Sequence, residues 1–509
     1  MNAQNNSYSK TQKWTLVVTI IASSLAFIDA TALNVALPAI QKDLGMTGTQ
    51  LLWVINGYML FLSSLLMVGG ALGDLYGRNK IFQIGLVIFA LASLSCGFAV
   101  NPMHLLLSRA VQGIGGALLT PGSLSILSAQ FDEDNRGRAF GLWSMFSALT
   151  SILGPILGGW LAEIGWWRAI FFLNTPFAVF ILLVMNSRIP ESRNTHAEKL
   201  DIYGAILVTL GLAGITYGFT ESSNYGIFDP MVLTSVTLGV IAMIGFIFLE
   251  KHSTHPMMPL SLFSSTVFSV TNIITFLIYA AMGGALFFVP LNLIQIQGYS
   301  GIEAGLSLLP VILCIAIISP SMGKIVDRYG FRNSLLIAPI ITALGFAAFV
   351  LAGKTAGPSA YFSTYFVPFL LVGIGMGIIT APLTTAVMGA VDEKHVGVAS
   401  GINNTIARAA NVLAVAFMGS WGLIAFKSKV SDQLKDSDLH QGLKDRVLSE
   451  ASNFTAAKAP EFLQQSLQLQ IQDIYQRAFL YSFDEVMIIA SVITVLSTVA
   501  TLVVYRKIK

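Results

Sequence analysis

The chain is short of charge. Of its 509 residues, 11% are Asp, Glu, Lys or Arg and 54% are hydrophobic, whereas soluble domains carry about 25% charged residues. A chain of this composition cannot dress its surface for water, so a soluble globular protein is excluded. Cysteine is nearly absent. Cys96 and Cys314 both lie in apolar runs, which argues for packing residues rather than a disulfide or a metal site. No Walker-type phosphate loop is found, and no zinc-ligand cluster. ATP hydrolysis and metal chemistry are therefore not expected, and no catalytic residue is assigned. The net charge of +3 offers nothing to nucleic acid.

What the chain has is apolar length. Its mean hydropathy is +0.72. Runs near the length needed to cross about 30 Å of hydrocarbon occur near 14–38, 50–72, 81–100, 103–128, 138–162, 167–187, 202–221, 230–250, 266–294, 302–322, 334–353, 361–386, 397–426 and 485–505. The first is too long for a signal-peptide core and lacks a small-residue cleavage site, so it reads as a retained helix. Fourteen spans put both termini on one side. The loops and ends of one face hold the basic residues, including Lys10, Arg78, Lys80, Arg136, Arg138, Lys251, Lys324, Arg328 and Arg332; the opposite short loops hold only Lys42, Arg168 and Lys354. By the positive-inside rule the first face is cytoplasmic.

The halves of the chain repeat. Gly70-Ala-Leu-Gly-Asp74-Leu-Tyr-Gly77-Arg78-Asn-Lys80 returns in degenerate form as Gly323-Lys-Ile-Val-Asp327-Arg328-Tyr-Gly330-Phe-Arg332, and Gly113 to Pro121 aligns with Gly373 to Pro382. The offset is 253 residues for Asp74 and Asp327 and 260 for Gly113 and Gly373. The reading is a parallel repeat: one six-helix bundle in 1–200, an insert of two helices in 201–260, and a second six-helix bundle in 261–509. Such repeats place a substrate site near mid-membrane between the bundles and expose it to alternate sides by rocking. Residues 427–484 form the one long hydrophilic segment, on the extracytoplasmic side, with two helical pieces expected near 431–451 and 460–482. Covering the outer mouth, docking a periplasmic adaptor protein and inert insertion all stay open for it.

These motifs resemble those of the Major Facilitator Superfamily, specifically its fourteen-helix drug:proton antiporter branch. Gly70 to Lys80 is similar to the signature G-x-L-x-D-x-x-G-R-x-K of the loop between the second and third helices, departing at Leu75, where the signature usually has Arg. Leu107-Ser-Arg109-Ala-Val-Gln112-Gly113 resembles the fourth-helix motif, and Gly154-Pro155-Ile-Leu-Gly158-Gly159 the "antiporter" motif of the fifth. Asp29 to Pro38 and Trp167 to Pro176 resemble the branch's motifs in the first and sixth helices. The resemblance implies an all-α polytopic fold of fourteen helices. It also implies a proton-coupled exporter of multiple drugs or amphipathic compounds in a bacterial cytoplasmic membrane. Its partners would be substrate, protons and the bilayer, with no cofactor beyond the proton gradient. A dedicated exporter of a lipid, siderophore or metabolite is the alternative. A membrane sensor or scaffold would need a folded cytoplasmic domain, for which no cytoplasmic loop is long enough.

Residue by residue, Asp29 lies about 15 residues into the first span, near mid-membrane at about 1.5 Å per residue, where an acid is costly and by default functional. Burial disfavours the charged form of a carboxyl and a nearby cation favours it, so Asp29 is the expected proton-coupling group. Arg109, at comparable depth in the fourth span, is the second proton-coupling candidate; an Arg in hydrocarbon needs a partner, which either Asp29 or backbone carbonyls of neighbouring helices could supply. Gly70, Asp74, Gly77 and Arg78, with Asp327 and Arg328 in the second copy, are read as a conformational latch at the cytoplasmic gate. Gly154, Pro155, Gly158 and Gly159 break or thin the fifth helix, since proline removes a hydrogen bond and glycine allows close approach. Asn34, Asn56, Tyr58, Gln112, Trp143, Asn174, Phe276, Asn403, Asn404 and Arg408 are the expected walls of the substrate cavity.

Overall fold

The computed structural model of the chain describes residues 8–193, 200–392, 395–435, 437 and 439–504, with the side chains of 133, 134, 148, 151, 152, 327 and 504 outside that description. Eighteen α-helices follow one another: α1 (Lys10–Leu44), α2 (Gly48–Tyr76), α3 (Arg78–Gly97), α4 (Pro102–Gln130), α5 (Glu133–Glu163), α6 (Ala169–Phe172), α7 (Asn174–Arg188), α8 (Ile202–Tyr225), α9 (Pro230–His252), α10 (Thr266–Leu291), α11 (Gly301–Ser307), α12 (Leu309–Tyr329), α13 (Arg332–Val350), α14 (Tyr361–Thr364), α15 (Phe366–Gly389), α16 (Val396–Lys435), α17 (Gln441–Glu450) and α18 (Gln465–Val504). Thirteen of the long helices or helix pairs among the described residues are long and apolar enough to cross a membrane. The 31-residue α5 stands where the remaining expected span was placed.

Short, chemically specified turns set the helix boundaries. α1 ends on Gly45 at φ 62°, the left-handed conformation that glycine tolerates at a helix end. Two residues later the Thr47 hydroxyl and the Gln50 side chain close a reciprocal capping box that starts α2. Large apolar side chains such as Leu91, Ile244, Ile317, Leu344 and Val499 face outward, as expected of a fold whose solvent is lipid.

Helix packing repeats along the chain. α1 packs on α5, and α2 and α3 pack on α4; α10 packs on α16, and α12 and α13 pack on α15. The two groups meet where α2 lies against α16 and α5 against α11. α8, from the insert, packs on both α2 and α16. Its polar stripe joins them: the Trp53 indole donates to Glu221 at 2.8 Å, Asn56 donates to the Thr220 hydroxyl at 3.3 Å, and the Ser222 and Ser420 hydroxyls lie 2.7 Å apart.

The 427–484 segment differs from its sequence reading. The helix that begins at Val396 does not stop at 426 but runs 40 residues to Lys435, and the last helix starts at Gln465 and also runs 40 residues. The reason is a stripe that does not end with the membrane. Val430, Leu434, Ile471, Ile474, Tyr475 and Phe479 remain buried, so each helix has a face to pack beyond the bilayer. Between the two ends lies a compact cap of α17 and the 3-10 turn Ala451–Ala456. Phe454 is its anchor, packed edge-on against Phe288 and Phe426 with Phe479 beside it. Gln41, at the end of α1, donates to the Asn453 carbonyl at 2.7 Å and accepts from the Thr455 hydroxyl at 3.2 Å. The cap thus ties the ends of α16 and α18 to α1.

Candidate functional site: a buried ion pair beside a central cavity

Asp29 on α1 and Arg109 on α4 form an ion pair at 2.6 Å, with exposures of 0% and 1%. Gln112, one helical turn beyond Arg109, completes a ring. Its oxygen accepts from Arg109 at 2.7 Å and its amide donates to the other Asp29 oxygen at 2.9 Å. Asn174, at the start of α7, donates to the same Asp29 oxygen at 3.4 Å and to Ser93 at 2.9 Å. The Arg109 Nε reaches the Val54 carbonyl at 3.3 Å. Four helices thus satisfy one carboxylate and one guanidinium, as buried charges require. Of the two kinds of partner left open for Arg109 by the sequence, the structure supplies both, Asp29 and a backbone carbonyl; Gln112 and Asn174, expected on the cavity wall, belong to this network instead.

Tyr58 on α2 divides the network from the cavity. Its ring centroid lies 4.2 Å from the Arg109 guanidinium carbon, within cation–π range, and the residue also lines a cavity of about 1070 Å³. That cavity opens toward the face of the basic loops, bounded there by Asp74, Asp201, His255 and His395. Of the expected wall residues, Tyr58, Trp143, Asn404 and Arg408 line it, joined by Phe27, Met59, Leu62 and Met67. Asn34 and Phe276 do not line it. Asn56 is committed to Thr220 on α8, and Asn403 bridges to Asn272 at 2.9 Å and to the Thr275 hydroxyl at 2.7 Å on α10.

The opposite face is closed by glycine. A Cβ on Gly154 would stand 1.9 Å from the Thr31 hydroxyl, and one on Gly158 2.2 Å from the Ala32 carbonyl oxygen, so α5 touches α1 backbone to backbone. The same stretch of α5 also crosses to the second group. Gly159 meets Gly301, and the Pro155 carbonyl oxygen lies 2.5 Å from where a Cβ of Gly305 would be. The G-x-x-x-G spacing of Gly301 and Gly305 was visible in the sequence but not connected to this contact. Outside the closure, a second cavity of about 730 Å³ runs under the cap, lined by Lys42, Glu163, Gln295 and Lys458 among others. Nearby, Arg168 forms an ion pair with Asp43 and donates to the Ala99 carbonyl at 3.0 Å, while the Trp167 indole also donates to Asp43.

At the basic face, Arg78 pairs with Asp74 at 2.8 Å, one turn away. The turn is held by a residue that sequence reasoning missed. Glu191, just past α7, accepts from the Asn79 N–H at 2.9 Å and the Lys80 N–H at 3.0 Å, neutralising the free donors of the α3 N-terminus. Gly77 sits at φ 111° with its face against Glu191, where a Cβ would meet the carboxyl at 2.8 Å. Gly70 lines the cavity beside Asp74. In the second copy, the Asp327 side chain lies outside the described residues. The Arg328 guanidinium lies over the Tyr329 ring at 5.2 Å.

The sequence and the fold both resemble those of known proteins. Residues 19–415 match the model of the Major Facilitator Superfamily. The multidrug resistance protein Stp of Mycobacterium tuberculosis is 30% identical over 81% of this chain and 76% of its own. The methylenomycin A resistance protein of Bacillus subtilis is 30% identical over 81% of this chain and 88% of its own. The puromycin resistance protein pur8 of Streptomyces alboniger is 31% identical over 80% and 81%. Among solved structures, a bacterial homologue of the human lysosomal transporter Spinster, inward-facing and unoccupied, superposes with a TM-score of 0.68 at 15% identity, covering 99% of this chain and 98% of that one. A helical chain with these spans and this family match is a multi-pass membrane transporter and not an enzyme, and it belongs to the Major Facilitator Superfamily.

Proposed function

We infer that the chain exports lipophilic or amphipathic compounds in exchange for protons, by alternating access between its two six-helix groups. One observation carries this reading: an acid–base pair sealed behind Tyr58 stands next to a drug-sized cavity that shares Tyr58 as a wall. The named resistance proteins among its relatives support the direction of transport. The basic loops at the open face of the cavity support a cytoplasmic opening, and on that reading the conformation is inward-facing.

The coupling follows from the donor count at Asp29. Ionised, it accepts from Arg109, Gln112 and Asn174. A proton on Asp29 removes the charge that holds Arg109 and converts one acceptor oxygen into a donor. Arg109 then rests on the Gln112 oxygen, the Val54 carbonyl and the Tyr58 ring, which lies on the cavity wall. Substrate and proton thereby compete through Tyr58 without sharing a site. Thr31 and Ala32, two and three residues along α1, are the residues that α5 grips through Gly154 and Gly158. Loosening of α1 from α4 is therefore felt at the outer closure. Asp74 and Arg78, paired within their own turn here, act as the inner latch once the cytoplasmic ends approach.

The test uses inside-out vesicles with an acidic lumen and a panel of anionic, neutral and cationic lipophiles. At least one compound should collapse the pH gradient with the wild-type protein, and none with Asp29→Asn. A wild-type protein that transports a panel compound without any proton movement would exclude antiport.

A further inference from the structure

The cavity wall carries charge of a single kind at depth. Four ionisable groups on the wall lie at its mouth. Two of them are acids, Asp74 paired with Arg78 and Asp201 accepting through one oxygen from the Gly204 N–H at 2.8 Å; His255 and His395 are the others. Arg408, on α16, is the charged residue at the deep end. Among the described residues it makes no hydrogen bond and no ion pair, and it shares the cavity wall with the Tyr58 phenol. The acid at similar depth, Asp29, lies behind Tyr58 and is fully committed to Arg109. The interior of the cavity therefore carries one uncompensated positive charge.

Arg408 is half-buried, with its exposed part on the cavity wall, and a cation within membrane-spanning helices is costly and marks a functional position. The repeat-related position in the first half is Ala148, so the fold itself does not call for a cation there. Much of the wall around it is apolar and aromatic, with Phe27, Leu62, Met59 and Trp143, beside the neutral polar side chains of Asn404 and Thr405. We propose that Arg408 is the anchor for the anionic headgroup of the exported compound, so that the preferred substrates are amphiphiles with one acidic group and an aromatic or alicyclic body. A guanidinium presents a planar fork of donors that matches a carboxylate or phosphate in two parallel hydrogen bonds. The complementary charge also discriminates: a lipophilic cation of equal bulk meets repulsion at the same place. This inference rests on the export reading and narrows it to a charge class.

The experiment measures binding to the full-length protein in nanodiscs of zwitterionic lipid, with fusidate, a steroidal carboxylate, and ethidium, an aromatic cation. The wild-type protein should bind fusidate at least tenfold more tightly than ethidium. Arg408→Gln should lose at least tenfold in fusidate affinity, Arg408→Lys should keep part of it, and Arg408→Glu should reverse the preference. Retained ethidium binding by the variants shows that they are folded. Adding phosphatidylglycerol to the discs separates two sources of the anion: competition with fusidate identifies a lipid headgroup as a ligand of the same site, and its absence leaves the soluble amphiphile. Fusidate affinity unchanged in Arg408→Gln, or a wild-type preference for ethidium, overturns the assignment of Arg408 while leaving export intact. Failure of both probes to bind, together with failure of the whole panel in vesicles, removes the export reading and this inference with it.

Discussion

Gly159 and Gly301 meet main chain to main chain: a Cβ on Gly159 would stand 2.0 Å from the Gly301 carbonyl oxygen, and one on Gly301 2.2 Å from the Gly159 oxygen. These are contacts real Cβ atoms do not make, so any side chain at either position must push the helix ends apart. They lie where α5 of the first group touches α11 of the second.

Substitution here should bias the conformational equilibrium without touching the central cavity, which neither glycine lines. Gly159→Val is expected to hold the outer ends open. A shift of about 1.4 kcal/mol changes the ratio of two states about tenfold. Labelling of Gln295→Cys, on the outer cavity wall, by a membrane-impermeant maleimide should rise accordingly in the Gly159→Val background. Equal labelling in both backgrounds would mean that the glycine contact does not gate the outer cavity.

The Asp29–Arg109 pair makes a second prediction, about stability. Removing one partner of a buried ion pair typically costs about 3–5 kcal/mol, because the other charge is left uncompensated. Arg109→Gln should therefore melt well below the wild type in detergent. The double variant Asp29→Asn with Arg109→Gln should recover most of the loss, since neither charge then remains. A double variant no more stable than the single one would show that the network's geometry matters more than its charge balance.

Glu191 provides a third. Its carboxyl serves two backbone donors at the start of α3, and losing a helix cap costs about 1 kcal/mol. Glu191→Ala should speed hydrogen exchange at Asn79 and Lys80 more than at mid-helix positions. Gly77→Ala should be worse, because the φ of 111° remains strained whatever happens to Glu191. Combining it with Glu191→Ala should relieve the clash and leave the strain.

The cap supplies the fourth. Gln41→Ala removes the bonds to Asn453 and Thr455 and leaves their partners to find water, at about 1–3 kcal/mol. Phe454→Ala empties an aromatic pocket, for about 3–5 kcal/mol. Protease added to the outer face of intact cells should cut between α16 and α18 faster in both variants, with Phe454→Ala the more sensitive. Wild-type resistance in both would mean that the cap is held from elsewhere.

Much of this was legible in the sequence because its signals are local or costly. Apolar runs declare the spans, an acid in hydrocarbon declares Asp29, and the repeated turn at Asp74 and Asp327 declares two related halves. The pairing of Asp29 with Arg109 was also accessible, since each is a charge at similar depth in need of a partner. What was not legible depends on which neighbour a polar residue faces. Asn56, Gln112, Asn174 and Asn403 look alike as amides in apolar helices. One faces α8, two face the ion pair, one faces α10, and none lines the cavity. Glu191 follows a helix end with nothing nearby in sequence to reveal that it caps another helix 112 residues earlier. The reach of α16 and α18 was hidden for a different reason. A hydropathy reading stops where polar residues begin on any face, whereas the helix continues as long as one face is buried.

That reach has a mechanical consequence. At about 1.5 Å per residue, 40-residue helices are about 60 Å long, twice the thickness of about 30 Å of hydrocarbon. Their outer ends are joined to each other by the cap and belong to the second group of helices, while the first group meets the cap through Gln41 of α1 and, at Phe454, through Gly48 of α2. The projecting hairpin is then a lever arm. A small tilt of one group at mid-membrane becomes a larger displacement at the tip, far from the central cavity and directly over the outer one, which the cap lines. A fluorophore pair straddling Gln41 and Asn453 would report the transport cycle from outside the cell. A binder that clamps that edge would stall the cycle without ever entering the substrate path.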